Sequence, residues 1–407
     1  MQALVSSETA SWGNIIVDTK FIHPKENVST KVTILPKDIL MWDQTIFKNA
    51  EMFELDYMPE HFLHRESQMD ALIFNLRPAT RGVKPINTLC LGPPATGKTT
   101  AVLKVFEEVE KHTPSVITVH VNCQSKNTKY MVFSQIFEKI HGYAPPSSGP
   151  PFTKIFDDVT KHLTEKGRVM VVALDDINYL FHRKKVNDVL YSLLRAHEMR
   201  PGARIGVIGI MSDKEMRYPL DPKVRSVFRP QEVYFPLYEH REIYDILKNR
   251  VRYGFFPGVV SEDVLNLIVK CVEDSEDLRV GIDLLKQAGL DAEHRGSKQI
   301  SLNDVGKAYE SSKFEHLAHA IQALRKGELT LLRLIAETRE AKAGELYKRF
   351  HEVTDLGYTS FHEMLNELDA AKLVYTDYAG KGVRGRSRTI FLRYDADEVL
   401  KRLEKDR

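Results

Sequence analysis

The sequence predicts an α/β protein with a parallel sheet flanked by helices, a helical lid and a C-terminal winged helix. Three stretches carry this prediction. A glycine-rich loop at 92–99 lies between an apolar strand and a helix. A second apolar run, at 169–174, ends in two aspartates, and residues 329–394 follow the pattern of three helices and a hairpin. Each stretch is typical of one part of this architecture.

The loop at 92–99 fits the phosphate-binding pattern G-x-x-x-x-G-K-[ST]. Its glycines let successive backbone N–H groups point at phosphate oxygens, and the following helix N-terminus adds positive potential. In such a loop Lys98 reaches the β- and γ-phosphates, and the Thr99 hydroxyl binds Mg²⁺. We therefore expect nucleotide contacts from Gly92, Pro93, Pro94, Ala95, Thr96, Gly97, Lys98, Thr99 and Thr100.

Two acids follow the buried strand predicted at 169–174. Because nucleotides bind at the carboxyl ends of parallel strands, Asp175 is expected to hold Mg²⁺ and Asp176 to polarise the attacking water. A further buried strand at 204–211 ends at Ser212. A turn-forming Asp-Asp pair is common by itself, but its position after a phosphate loop favours the catalytic interpretation.

Composition limits the classes of protein to consider. A chain of 407 residues predicts two or three domains, and a net charge of +2 is too small to indicate nucleic-acid binding by itself. The three cysteines, Cys90, Cys123 and Cys271, show no C-x-x-C spacing, which argues against a zinc site or a disulfide scaffold and fits a reducing cytosol. Neither a secretory signal nor a bilayer-spanning run is visible, so we expect a cytoplasmic protein without a membrane partner.

The order of predicted elements divides the chain into four parts. Residues 1–40 form a partly irregular N-terminal segment, and 41–236 form the nucleotide-binding base domain. An insert at about 126–151 contains one helical pattern and a proline-rich break, and a second helical pattern follows it from Phe152. Lys98 and Asp175 are 77 residues apart, longer than one helix-strand-helix connection needs, so an extra helical element must lie between them. Residues 237–310 are helical without strands and form the lid, and 311–407 form the winged-helix domain.

The C-terminal hairpin is the first candidate for a nucleic-acid contact. Its tip, 379–388, holds one lysine, three arginines and no acid: Lys381, Arg384, Arg386 and Arg388. Such a tip follows phosphates or enters a minor groove, although it could also be a solvated turn that protects a sheet edge. The third of the three helices predicted in residues 329–394 offers Thr359, Ser360 and His362 as DNA contacts but no arginine. We therefore expect phosphate and shape contacts to dominate over base readout.

Several short stretches, taken in order, resemble one family. These are Ile46-Phe47-Lys48-Asn49, Asp56-Tyr57-Met58-Pro59, His64-Arg65-Glu66, the loop at 92–99, Asn122-Cys123, Leu174-Asp175-Asp176-Ile177, Leu220-Asp221-Pro222-Lys223-Val224 and Asp277-Leu278-Arg279. From about residue 46 onward, the chain resembles the archaeal replication initiators related to the origin-recognition-complex and cell-division-control proteins, within the AAA+ ATPases.

The resemblance implies further roles. Tyr57, Pro59 and Arg65 would lie by the adenine, and Tyr238 begins the lid near the nucleotide. Arg279 matches the lid arginine, called sensor 2, that contacts the phosphates. The insert matches the initiator-specific helical insert that touches DNA, with Lys126, Lys129 and Tyr130 as contacts.

The chain departs from the family pattern at the residues expected to support hydrolysis. Asp176 stands where the family usually has glutamate, and its carboxylate is one methylene shorter. Ser212 stands where the family usually has asparagine as the polar sensor 1 residue. The arginine that would act across a subunit interface is not defined by the motif, with Lys223, Arg225 and Arg229 as candidates and Arg225 preferred. We therefore expect tight nucleotide binding with very slow turnover.

The resemblance implies a DNA replication initiator with ATP or ADP and Mg²⁺ as cofactors. Its expected partners are double-stranded origin DNA, other initiator subunits on DNA and the replicative hexameric minichromosome maintenance helicase, with a cytoplasmic, nucleoid-associated location. The alternative is a signalling or transcription-regulating phosphate-loop ATPase with a winged helix. A guanine-specific switch is disfavoured because no N-K-x-D motif occurs, and a transporter ATPase because no L-S-G-G-Q stretch occurs.

Overall fold

A computed structural model describes residues 45–146, 149–182, 185–212, 220–378 and 388–405. The N-terminal segment 1–40 and three residues of the wing tip, Lys381, Arg384 and Arg386, lie outside the described residues. The backbone of Arg388 is described as the first residue of a strand. Within the described part, no helix is long and apolar enough to cross a membrane.

The base domain is built on a five-stranded sheet. Its strands are β1 (Thr88–Leu91), β2 (Val116–Asn122), β3 (Val169–Asp175), β4 (Arg204–Ile210) and β5 (Gln231–Tyr234). The strand order is β2-β3-β4-β1-β5, and every pair is parallel. The carboxyl ends of β1, β3 and β4 are therefore neighbours, which brings together the phosphate loop, the two aspartates and Ser212. The predicted fold class is confirmed.

Helices cover both faces of this sheet. They are α1 (Glu66–Thr80), α2 (Lys98–His112), α3 (Lys129–His141), α4 (Phe152–Glu165), α5 (Asn178–His182), α6 (Val186–Leu194), α7 (Ala196–Met199) and α8 (Pro222–Arg225). One apolar core contains side chains of α3, α4 and α6, and the other contains side chains of α1 and α2. All seven residues of β3 are buried, as expected for a central parallel strand.

The lid consists of α9 (His240–Gly254), α10 (Glu262–Ser275), α11 (Leu278–His294) and the first half of α12 (Leu302–Ala323). Ile46, Phe47 and Phe53 also pack in the lid core, where the rings of Phe47 and Phe255 lie 4.9 Å apart. The sequence assigned these early residues to the base domain. The structure instead packs them against the lid, because their aromatic partners come from a segment about 200 residues later.

The winged helix contains α13 (Lys326–Thr338), β6 (Glu340–Lys342), α14 (Ala343–Thr354), α15 (Tyr358–Ala370), β7 (Val374–Tyr378), β8 (Arg388–Leu392) and α16 (Ala396–Lys405). Its antiparallel sheet has the order β6-β8-β7. The long helix α12 places Val305 in the lid core and Leu317 in the winged-helix core. This helix is therefore shared by the two units.

Candidate nucleotide and DNA sites

The phosphate loop has backbone angles that demand glycine at two positions. Gly92 has φ +143° and Gly97 has φ +87°. A Cβ built on Gly92 would lie 2.1 Å from the carbonyl oxygen of Phe235. A Cβ on Gly97 would lie 2.8 Å from both the Phe62 ring and the Tyr238 hydroxyl. The loop is therefore held in its curled shape by the end of β5 and by residues beside the lid.

Lys98 is the first residue of α2, and its side chain is folded back onto the loop. Its Nζ donates to the carbonyl oxygens of Gly92 at 3.0 Å and Pro93 at 2.6 Å. The residue is 6% exposed. Burial lowers the pKa of Lys98 to about 8, and the charges of Asp175 and Asp176 oppose that shift. A phosphate group would supply the compensating negative charge that this ammonium lacks.

The predicted metal ligands lie next to each other. The Thr99 hydroxyl donates to Oδ2 of Asp175 at 2.9 Å, and Asp175 is 7% exposed. The same carboxylate oxygen lies 2.9 Å from Nε2 of His120 on β2. A hydroxyl and a carboxylate are oxygen ligands of the type that Mg²⁺ prefers, so these residues fit the ion.

Asp176 follows Asp175 with φ +51°, a left-handed backbone conformation. Burial raises the pKa of Asp176, the charge of Asp175 raises it further, and the charges of Lys98 and Arg279 oppose the rise. Ser212 is exposed and lines the same cavity as both aspartates. The structure thus brings together the residues predicted to bind Mg²⁺, to activate water and to contact phosphates.

Arg225 occupies a different place. It is exposed and lines a separate surface depression with Phe228 and Arg229. It is not among the residues that line the nucleotide-site cavity. Arg225 could therefore act on a nucleotide only across an interface with another subunit, as the sequence analysis proposed.

A cavity of about 500 Å³ lies between the base domain and the lid. Its polar wall includes residues 94–100, Asp175, Asp176, Ser212 and Arg279, and its other residues come largely from segment 55–63, α9 and α11. Tyr57 and Pro59 line it, and the Arg250 guanidinium lies 4.7 Å from the centre of the Tyr57 ring. A site with phosphate-binding groups and an apolar, aromatic region fits a nucleoside phosphate.

Arg65 does not take the position beside adenine that the sequence analysis predicted. It is 1% exposed, and Nε, Nη1 and Nη2 donate to the carbonyl oxygens of Thr96, His64 and Pro236, respectively. Its guanidinium also lies 3.7 Å from the centre of the Tyr238 ring. Each of its guanidinium nitrogens donates to a backbone carbonyl. Arg65 therefore stabilises the loop from the side away from the cavity and does not face the cavity.

Tyr238 both stacks on Arg65 and lines the cavity, so its predicted place near the nucleotide site agrees with the geometry. Burial raises the pKa of Tyr238 to about 12, which keeps its phenol neutral at physiological pH. His120 and Arg250 were not predicted as parts of the site. In the β2–β3 register, Asn122 is opposite Asp175. Because residues two apart on a strand point to the same face, His120 lies on the same face of β2 as Asn122. Knowledge of this register would therefore have indicated His120 as a neighbour of Asp175.

The insert candidates lie at the start of α3. Lys126 and Lys129 are half-buried, Tyr130 is 36% exposed, and Nζ of Lys129 lies 4.1 Å from the centre of the Phe152 ring. Lys129 is therefore partly engaged by α4. Tyr130 is the most exposed of the three, and Lys126 lies three residues before α3 begins.

The third-helix candidates all lie in the first turns of α15. Thr359 is exposed, whereas Ser360 and His362 are half-buried. Tyr358, which was not predicted as a contact, is 52% exposed, and its ring centre lies 4.6 Å from that of His362. The N-terminal turns of this helix therefore present an aromatic and hydroxyl-rich surface.

Models of three protein families match successive parts of the chain. The AAA domain matches residues 85–214, the Cdc6 AAA+ ATPase-type lid domain matches 244–310, and the CDC6 C-terminal winged helix domain matches 329–402. These segments follow the order base, lid and winged helix that the structure shows.

Similar proteins share almost the whole length. ORC1-type DNA replication protein 2 of Methanosarcina mazei is 53% identical over 368 residues, which cover 90% of this chain and 99% of that protein. The structure of the Aeropyrum pernix ORC1 protein in complex with DNA has a TM-score of 0.68 and 28% identity, covering 89% of this chain and 98% of that chain. The Aeropyrum pernix ORC2 protein in its ADPNP-ADP complexes has a TM-score of 0.68 and 26% identity, covering 88% and 98%.

Proposed function

Since this chain belongs to the family of ORC1-type DNA replication proteins, we propose that it binds ATP or ADP with Mg²⁺ and duplex DNA at replication origins. Bound nucleotide sets the position of the lid relative to the base domain. The winged helix and the insert contact the DNA. The observation that carries this proposal is the loop at 92–99, where buried Lys98 and the Thr99–Asp175 pair adjoin a cavity of about 500 Å³.

The nucleotide half of the proposal follows from the donor set. Backbone N–H groups of the loop and the ammonium of Lys98 bind the phosphates, Thr99 and Asp175 hold Mg²⁺, and Arg279 neutralises phosphate charge from the lid. Tyr57, Pro59 and the apolar residues beside them contact the base. The ORC2 protein of Aeropyrum pernix, which is similar to this chain, is described in ADPNP-ADP complexes.

The DNA half rests on the winged helix. The proposed contacts come from the start of α15, from the basic wing tip and from the start of α3. They are Thr359, Ser360, His362, Lys381, Arg384, Arg386, Arg388, Lys126, Lys129 and Tyr130. The ORC1 protein of Aeropyrum pernix, whose fold is similar over most of both chains, is described in complex with DNA. On DNA the protein would lie in the nucleoid, next to other initiator subunits, and help recruit or load the replicative hexameric helicase.

Origin binding predicts a specific footprint. The purified chain should protect DNA near replication origins more strongly than random DNA. Replacing Arg384 and Arg386 with alanine should weaken protection of all DNA, including origin DNA, and reduce the slope of log affinity against log salt by about 2, because two phosphate contacts are lost. Footprinting and salt titration measure both effects.

The matched control removes two arginines from the base domain, Arg77 and Arg81, both exposed. Their replacement with alanine should leave the protection and the salt slope unchanged. Equal protection of all DNA by the unsubstituted chain would argue against origin recognition. That result would leave only a general DNA binder.

Slow hydrolysis is a further part of the proposal. Asp176 carries a shorter side chain than the usual glutamate, and a misplacement of about 1 Å costs on the order of 100-fold in rate. Asp176→Glu should therefore raise the single-turnover rate of ATP hydrolysis roughly 10- to 100-fold, with ATP affinity little changed. A rate near one per second in the unsubstituted chain, without DNA or partner, would contradict slow turnover.

A further inference from the structure

The guanidinium of Arg65 joins three separate segments of backbone. Nε donates to Thr96 in the phosphate loop at 3.0 Å, and Nη2 donates to Pro236, which follows β5, at 2.7 Å. Nη1 donates to the adjacent His64 carbonyl at 2.7 Å. We call these contacts, together with the stacking on Tyr238, the Arg65 bridge. A planar group with five fixed donors can hold acceptors in different directions at once, which a lysine ammonium does less well.

The Arg65 bridge ends at the hinge of the lid, which we define as residues 236–243, the connection after β5 and the first turn of α9. Residues 235–239 connect β5 to α9, the first lid helix, and this connection includes both Pro236 and Tyr238. The imidazole of His64, next to Arg65, lies 3.2 Å from the carboxylate of Asp245 on α9. The segment that carries Arg65 therefore touches both the connection and the lid helix that follows it.

The phosphate loop is packed against the same hinge. The space in which Gly97 would place a side chain is filled by Phe62 and by the Tyr238 hydroxyl. Thr96, whose carbonyl binds Arg65, is 1% exposed, so the contact is shielded from water. Because closely packed interiors transmit small displacements, a shift of the loop on phosphate binding must be accommodated by the hinge.

We infer that Arg65 is a positioning residue that couples occupancy of the phosphate loop to the lid hinge through its bonds to Thr96 and Pro236 and its contact with Tyr238. It touches neither substrate nor metal. This inference rests on the proposed nucleotide binding and adds the route by which the lid responds. The loop alone suffices to bind phosphate, whereas the lid responds only while the Arg65 bridge is intact.

Hydrogen–deuterium exchange of the full-length chain tests this coupling. In the unsubstituted protein, saturating ADP should slow exchange at both the loop, 92–100, and the hinge, 236–243, by on the order of tenfold. In Arg65→Lys, the loop should still be slowed by ADP, whereas the hinge should change less than about twofold, because one ammonium cannot bridge both carbonyls. If Arg65 acted only through its positive charge, lysine would replace it. The inference would therefore be overturned if ADP slowed exchange at the hinge of Arg65→Lys as much as in the unsubstituted chain.

Two further variants complete the design. Arg241→Lys makes the same change at an exposed arginine of the same hinge and should keep the full response of both segments. If Arg65→Lys does not fold, Tyr238→Leu is the second variant, because it removes the ring that stacks on the Arg65 guanidinium. In Tyr238→Leu the hinge should no longer respond to ADP. A normal response of the hinge to ADP in this variant would overturn the inference. If ADP slows neither segment in the unsubstituted chain, the proposed nucleotide binding fails, and the inference fails with it.

Discussion

Replacing Lys98 with alanine is expected to weaken binding of ATP and ADP by roughly 100- to 1,000-fold. Lys98 is buried, lines the candidate cavity, and its ammonium donates to two loop carbonyls, so it lies within the loop that is proposed to surround the phosphates. Alanine removes that charge and leaves the phosphate oxygens without their strongest partner. Titration of a fluorescent adenine nucleotide, or calorimetry, measures the loss directly.

Lys111→Ala is the matched control. Lys111 lies on the same helix, α2, but its side chain is 54% exposed and pairs with Glu107 and Glu108 at the surface. Surface ion pairs contribute little, so nucleotide affinity should change less than about twofold. An equal effect of the two substitutions would contradict the role given to Lys98.

The Lys98→Ala variant also separates the two halves of the proposed function. Because the proposed DNA contacts lie on the winged helix and the insert, much of the DNA affinity should remain without nucleotide. If DNA binding disappeared together with nucleotide binding, the DNA-binding surface would itself require a bound nucleotide. Electrophoretic mobility shifts with and without ADP distinguish the two results.

The sequence predicted the parallel sheet correctly and predicted that residues distant in the chain share one cavity, because the signals for both are local. These signals are the strand before Gly92, the motif around Lys98 and the acids after β3. Each of them spans about ten residues or fewer. Parallel sheets then bring the carboxyl ends of such strands together, whatever the sequence distance between them. For this reason Asp176 and Ser212 could be assigned to one site before the strand order was known.

The missed features depend on contacts between distant residues. The packing of Phe47 against Phe255 in the lid core has no local pattern. Arg65 was predicted to face the nucleotide because motifs specify residue types, whereas only the fold shows that its donors reach Thr96 and Pro236. His120 required knowledge that β2 is the neighbour of β3.

Gly92→Ala should destabilise the base domain by roughly 3 kcal/mol or more. The new Cβ would lie 2.1 Å from the Phe235 carbonyl oxygen, and the position has φ +143°. Phe235 cannot move away freely, because its N–H donates to Leu91 at 2.8 Å next to the β1–β5 pairing. Thermal denaturation should show a lower Tm, and nucleotide affinity should fall because the loop must change shape.

Gly142→Ala is the comparison at a positive-φ glycine where a new Cβ meets no neighbour. Gly142 has φ +79° at the end of α3, and a Cβ there would meet nothing within 4 Å. Alanine at this position should cost only about 1–2 kcal/mol, the cost of a left-handed conformation. The excess destabilisation of Gly92→Ala therefore measures the contact with Phe235 together with the larger conformational cost of φ +143°. Equal losses at the two glycines would show that the loop is not held by that contact, and the steric argument for Gly92 would be wrong.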